Sequence, residues 1–272
     1  METHLEVSKP FNRKDEIYSV LLGHRSIRVY DDRPIPEETL ERILGAATRA
    51  SSSGNMQAYS IIVTTDQTLK GKAFEPHFRQ PMVLKAPALL TFCADFRRMR
   101  KWLLFNEAPD GFDNFMSFMI ATIDATLASQ NAAIAAEAEG LGICYLGSTL
   151  ASCKEIAEIL HCPPGVVPVV GFSIGYPKEQ PEDRGRLPMN AIVHREVYND
   201  KSAEEIQELY KQKEEQGLRR YLKDPTLKAL LEKSGSKNLA QIYTKLKYTR
   251  ESHIKYSQCV MDCLQQQGFM PP

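Results

Sequence analysis

The sequence predicts an α+β fold, on three observations. Short apolar or β-branched runs at 60–65, 88–94, 143–146 and 166–175 have the length and composition of strands. Helical patterns separate them, amphipathic at 36–50 and apolar nearly throughout at 115–139. Beyond Tyr198 the composition turns to Lys, Glu and Gln, as in charged helices with narrow apolar stripes.

Pro36 suits the first helical position, where its missing N–H costs nothing, and Glu37 and Glu38 favour the positive helix end. Leu40, Ile43, Leu44 and Ala47 then recur at helical spacing, so 36–50 is a helix with one apolar face. The run 88–94 is apolar on both faces, which places it centrally in a sheet. Residues 71–87 are loop-rich and partly helical. The helix at 115–139 ends at Gly140, and its apolar character calls for burial in the core or at a subunit interface. Ser152 and Glu155 have capping-box spacing and open a short helix carrying Ile156, Ile159 and Leu160, which Pro163-Pro164-Gly165 breaks. Strand 166–175 tolerates Pro168 near its start. Ser202 and Glu205 cap a further helix, and Leu239, Ile242, Tyr243 and Leu246 mark another. These tail helices are expected to cover a core or a partner subunit, giving a core at 1–199 and a helical extension at 200–272 of the same domain.

At 272 residues the chain can bury a sizeable core, and 43% hydrophobic with 25% charged residues is ordinary for a globular protein. Lys plus Arg and Asp plus Glu each number 34, so net charge offers nothing toward nucleic acid or an anionic membrane. Residues 1–16 are polar and do not read as a signal peptide, and the apolar run at 115–138 is interrupted by Asp124, Gln130, Asn131 and Glu137, so it is no membrane span. The six cysteines include no Cys-x-x-Cys pair and read as free, mostly buried thiols in a reducing, cytoplasmic compartment.

No Rossmann fingerprint is present: Gly147 follows Gly140-Leu141-Gly142 two residues too late, and the glycines precede a strand instead of opening a helix. P-loop, His-Glu-x-x-His and Gly-x-Ser-x-Gly motifs are absent too, and the dispersed histidines argue against a metal site. His77, His161, His194 and His253 read as surface or structural residues. One cluster stands out. His24-Arg25-Ser26-Ile27-Arg28 offers charges and donors that suit a phosphate, and equally suits an exposed helix end. Arg184-Gly185-Arg186 is a second basic pair that could close on the same anion.

His24 to Arg28, followed by Ser51-Ser52-Ser53-Gly54-Asn55, Gln80, Phe92-Cys93-Ala94-Asp95, Gln130-Asn131, Gly140 to Gly147 and Arg184-Gly185-Arg186-Leu187-Pro188, resembles the nitroreductase family of FMN-dependent enzymes. The likeness is to its oxygen-insensitive, NADPH-using nitroreductase and flavin reductase subgroup, and it runs from about Gly23 to Pro188. It implies a central, mainly antiparallel mixed sheet flanked by helices, with a C-terminal arm packed on a partner subunit. It implies tightly bound, non-covalent FMN. His24, Arg184 and Arg186 would hold the phosphate, Arg184 standing where relatives often carry lysine. Arg25, Ser26 and Arg28 would lie near the flavin, Arg28 favouring its reduced anion. Gln80 would read the pyrimidine edge. Tyr145, Leu146, Gly147 and Ser148 would border the ring, with backbone N–H groups near its hydride-accepting nitrogen. Ser52, Ser53 and Gly54 would arrive from the partner of a homodimer with a shared site. NADPH would reduce the flavin and leave, and a nitroaromatic, quinone or free flavin would be reduced in the same place. Basic residues Lys211, Lys213, Arg219 and Arg220 are candidates to select NADPH over NADH. A flavin-nucleotide storage protein without turnover is the alternative the same cradle allows.

Overall fold

In the computed structural model, which describes residues 14–270, β1 (Tyr59–Thr64), β2 (Ala88–Asp95), β3 (Gly142–Tyr145) and β4 (Val166–Gly175) form one sheet in the order β1-β2-β4-β3. All three strand pairings are antiparallel, and a single parallel bridge joins Ser26 to Ile143 at the β3 edge. β2 is buried at every position, as its two-sided apolar sequence requires. Between Phe92 and Cys93 the β2–β4 register shifts: Phe92 faces Val170 but Cys93 faces Pro168. Proline has no N–H for the ladder, so the irregularity sits where a regular bond is unavailable anyway.

Helices surround the sheet. α1 (Lys14–Gly23) and α2 (Glu37–Ala47) precede it, and α3 (Gln67–Ala73) and α4 (Met82–Lys85) connect β1 to β2. α5 (Arg97–Phe105) and α6 (Phe115–Ala138) lead to β3, and α7 (Ser148–Ala151) and α8 (Cys153–Ile159) lead to β4. Pro36 proves to be the N-cap of α2, one position before the expected first helical residue. α6 has the expected extent and ends where Gly140 takes φ +76. Its alanines Ala121, Ala125, Ala128, Ala132 and Ala136 are fully buried among Ile43, Leu90, Phe92, Phe172 and Ile174. Small side chains on that face let the helix lie close to the sheet. Its other side leaves Met116, Met119, Ile123 and Leu127 exposed.

The capping box expected at Ser152 is not formed. Ser152 precedes α8 but its hydroxyl donates to the Pro76 carbonyl at 2.9 Å, because α7 ends directly before it and turns the side chain toward the α3–α4 connection. The Ser202–Glu205 box is formed at both contacts.

The chain divides into two compact units, Met1–Pro181 with Cys259–Pro272, and Glu182–Gln258. The expected boundary at 199/200 lies inside the second unit, which holds α9 (Ala203–Lys223), α10 (Pro225–Ser234), α11 (Leu239–Ile242) and the start of α12 (Arg250–Gln266). The second unit has a small core of its own in Tyr221, Leu231, Leu239 and Ile242. The helix expected around Leu239 is α11 prolonged by a π-helical turn at Tyr243–Lys247. Cys263 and Leu264, in the last turn of α12, complete the core of the first unit with Phe269. Among the described residues no helix is long and apolar enough to cross a membrane. The reading of 1–16 as no signal peptide falls mostly on 1–13, outside the described residues.

Candidate active site

The segment after α1 is added to the edge of β3. Ile27 N–H donates to Ile143 O at 2.9 Å beside the Ser26–Ile143 bridge. Gly142 permits this approach, since a Cβ there would overlap the Ile27 side chain. The segment is pinned further by Tyr30, whose hydroxyl donates to Ile27 O at 2.6 Å and lies 2.8 Å from Ser173 Oγ. Burial holds that phenol well above its ordinary range. Glu179 Oε1 accepts the backbone N–H groups of Arg28 and Val29 at 2.5 and 3.0 Å. The Arg28 guanidinium folds back to Ser26 O at 3.3 Å, and Arg25 donates to Pro181 O at 3.1 Å.

At the other end of β3, Leu146 N–H donates to Gly171 O at 2.8 Å and Gly147 N-caps α7. A Cβ at Gly147 would meet no atom within 4 Å, so the backbone face there is clear. Ser148 starts α7 and is buried. Its hydroxyl accepts from Gln80 Nε2 at 3.2 Å and lies 2.9 Å from His77 Nδ1. Gln80 Nε2 also donates to His77 O at 3.0 Å. With both amide hydrogens engaged, Gln80 keeps its carbonyl oxygen as the open acceptor. His77 is structural and deeply buried, and burial pushes its pKa down to about 4, leaving a neutral ring near pH 7. Tyr145 sets its ring edge against Phe172 at 5.3 Å and its hydroxyl 3.2 Å from Ser129 Oγ.

His24 lies against the end of α6, its Nδ1 2.5 Å from Glu137 Oε1. Burial raises the Glu137 carboxyl while the His24 contact pulls it back down. The serine loop lies on the same helix, nearer its middle. Asp124 Oδ2 accepts from Ser52 Oγ at 2.7 Å and from Ala58 N–H at 3.2 Å, and Oδ1 accepts from Ser53 N–H at 2.9 Å. Ser52 Oγ also accepts from Gln57 N–H at 2.7 Å. Within this loop Gly54, Asn55 and Gln57 all have left-handed φ, of 55°, 56° and 47°.

The structure thus gathers Ser26, Arg28, Gln80 and Tyr145 to Ser148 around β3, and it holds Ser52, Ser53 and Gly54 elsewhere. Asp124 and Glu137 are thirteen residues apart on one helix, roughly 20 Å at the helical rise. Arg184 and Arg186 belong to the second unit, where Arg186 Nη1 donates to Arg184 O at 3.5 Å. In the sequence Asp124 and Glu137 stand out only as interruptions of an apolar run. A carboxylate in such a helix was the available signal that each serves a partner. His77 and Glu179 gave no such signal.

Residues 21–176 match the model of the nitroreductase family. An FMN reductase (NADPH) of Bacillus subtilis is 37% identical over 183 residues, 66% of this chain and 73% of that protein. An oxygen-insensitive NADPH nitroreductase of Salmonella typhimurium is 34% identical over 179 residues, 66% and 73% respectively. Among solved structures, the nitroreductase NfrA1 of Bacillus subtilis superposes with a TM-score of 0.81 at 27% identity, covering 93% of this chain and 98% of that one.

Proposed function

This chain belongs to the nitroreductase family, and from that premise we propose that it is an FMN-dependent NAD(P)H oxidoreductase acting on nitroaromatics, quinones or free flavin. The gathering of Gln80, Ser148, Gly147 and Ser26 around β3 carries the reading. That donor set fits the flavin ring: an acceptor oxygen for its pyrimidine N–H, hydroxyls beside it, and a backbone surface clear of side chains for a planar group. FMN, when bound, would supply the two-electron hydride chemistry.

The chain's own residues bind, orient and charge-balance. Gln80 reads the pyrimidine edge through Oε1, and Leu146, Gly147 and Ser148 line the ring beside Tyr145. Arg28 would offset negative charge at the pyrimidine edge of the flavin, with Arg25 and Ser26 completing that side. His24 holds the phosphate. NADPH is the preferred donor.

The working unit is a homodimer. Two observations support it: Met116, Met119, Ile123 and Leu127 form an exposed apolar stripe along α6, and the serine loop lies far along that helix from His24. In a dimer Ser52, Ser53 and Gly54 of each subunit serve the other's flavin. Six free thiols fit the cytoplasm.

The test is spectroscopic and then kinetic. The purified protein should show a flavin spectrum, release FMN on denaturation, and consume NADPH with a quinone or nitrofuran acceptor. Protein that binds FMN yet shows no consumption above the free-flavin background would be a flavin store. Protein that takes up no FMN would overturn the cradle itself. Ile123→Glu should give monomers in sedimentation; an unchanged oligomer would remove α6 from the interface.

A further inference from the structure

Cys162 lies between α8 and β4, and it lines a cleft of about 470 Å³. The cleft lies on the sheet face turned away from α6. Ser60 and Ile62 of β1 border it, whereas their neighbours Tyr59, Ile61 and Val63 join the core that α6 covers. Arg97, Arg98 and Lys101 stand along one side. The cleft shares no residue with the candidate flavin site. Cys162 is partly exposed, and Cys93 of β2 is fully buried. Cys93 stands opposite Ser60 in the β1–β2 ladder, so its side chain lies on the cleft face of the sheet, and its thiol interacts with that of Cys162.

We propose that Cys162 and Cys93 form a peroxide-reactive dithiol, in which hydrogen peroxide entering the cleft oxidises Cys162 and Cys93 closes a disulfide onto it. The Cys162 thiolate attacks one peroxide oxygen; the S–O bond forms, the O–O bond breaks, and hydroxide leaves to take up a proton as water. The Cys93 sulfur then attacks the sulfenic sulfur, losing its proton; the S–S bond forms, the S–O bond breaks, and a second water departs. Two thiols are oxidised and one peroxide is reduced to two waters.

The same criteria separate this pair from the other thiols. Oxidation selects a cysteine that is reachable, has thiolate character, and has a resolving thiol beside it. Cys162 meets all three: it lines the cleft and is partly exposed, Cys93 lies on the same sheet face, and the neighbouring Cys93 thiol lowers its pKa against the opposing effects of burial and Asp95. Cys153 lies beside Cys263 and Cys259, but a hydrogen bond to Cys263 and burial hold its thiol far above the ordinary range. Cys259 is partly exposed, yet burial leads in pushing its pKa up to about 11. Cys144 is buried in β3. Nothing in this selection depends on flavin.

The experiment treats the purified, fully reduced protein with a few equivalents of hydrogen peroxide, then counts thiols after denaturation and maps the peptides. The count should fall from six to four, with one cross-linked peptide pair carrying Cys93 and Cys162. Cys162→Ser should lose its thiols at least tenfold more slowly. Cys93→Ala should form no disulfide and should yield a dimedone adduct at Cys162. Dimedone present during oxidation of the unsubstituted protein should capture the same adduct, so the proposal stays testable if Cys93→Ala does not fold. Six thiols retained, a cross-link between other cysteines, or thiol loss at the unsubstituted rate in Cys162→Ser would each overturn it.

Discussion

Replacing Asp124 with alanine removes the anchor of the serine loop. The side chain is fully buried and accepts two backbone N–H groups and one hydroxyl, from Ser53, Ala58 and Ser52. Hydrogen bonds to a charged group contribute about 1.5–3 kcal/mol each, and a buried donor left without a partner costs about 1–3 kcal/mol. These terms overlap because three donors share one carboxylate, so the total loss should be about 3–5 kcal/mol. For a chain of this size each kcal/mol moves the midpoint by about 2–4 °C, so Asp124→Ala should melt roughly 10 °C lower. The loop should also relax, because Gly54, Asn55 and Gln57 hold left-handed φ only while their surroundings fix them. Asp124→Asn keeps one acceptor oxygen but turns an NH2 group toward donors, so its loss should be intermediate. Thermal melting followed by circular dichroism measures both, and FMN retention after gel filtration should fall in the same order. An alanine variant melting within about 2 °C of the unsubstituted protein would refute the idea that this carboxylate holds the loop.

His77 gives a pH dependence with a definite sign. Its folded pKa of about 4 lies below the ordinary 6.5, so the unfolded chain binds the proton first and stability falls as pH drops from about 6.5 toward 4. Between pH 7 and pH 5 this contributes about 2 kcal/mol of loss; urea titrations at the two pH values should show a smaller difference in His77→Gln. Gly142→Val should destabilise by about 1–3 kcal/mol through overlap with Ile27, and a second change, Ile27→Ala, should recover part of the FMN binding lost with it. Arg28→Ala should slow flavin reduction by NADPH in stopped-flow traces, and unchanged kinetics would remove Arg28 from that step.

The elements legible in the sequence were those whose apolar pattern faces the core. β2 and α6 are buried along their length or along one whole face, and each lies within a residue or two of its expected bounds. α1 and α5 bury no residue fully, and α5 meets the core only through the partly buried Met99, so their patterns are weak guides to burial. Ser152 shows a different limit. Its local spacing is that of a capping box, but a carbonyl 76 residues away takes the hydroxyl. The site divides along the same line. Gln80 and Ser148 stand out by family likeness, yet their mutual contact, and its support by His77, joins segments 68 residues apart and exists only in the fold. Asp124 is likewise 72 residues from Ser52.

The two edges of the sheet are closed by different means. Segment 26–27 covers β3 with one bridge and one hydrogen bond. At the leading end of β1, Arg98 directs one guanidinium nitrogen at the Gln57 and Tyr59 carbonyls, at 2.6 and 3.2 Å. An edge strand with open backbone groups is a template on which a foreign strand can grow, and a charged side chain bonded to those groups is an effective block. The arginine beside the cleft is therefore also a guard against self-association: it occupies the acceptors where cross-β pairing between copies would begin.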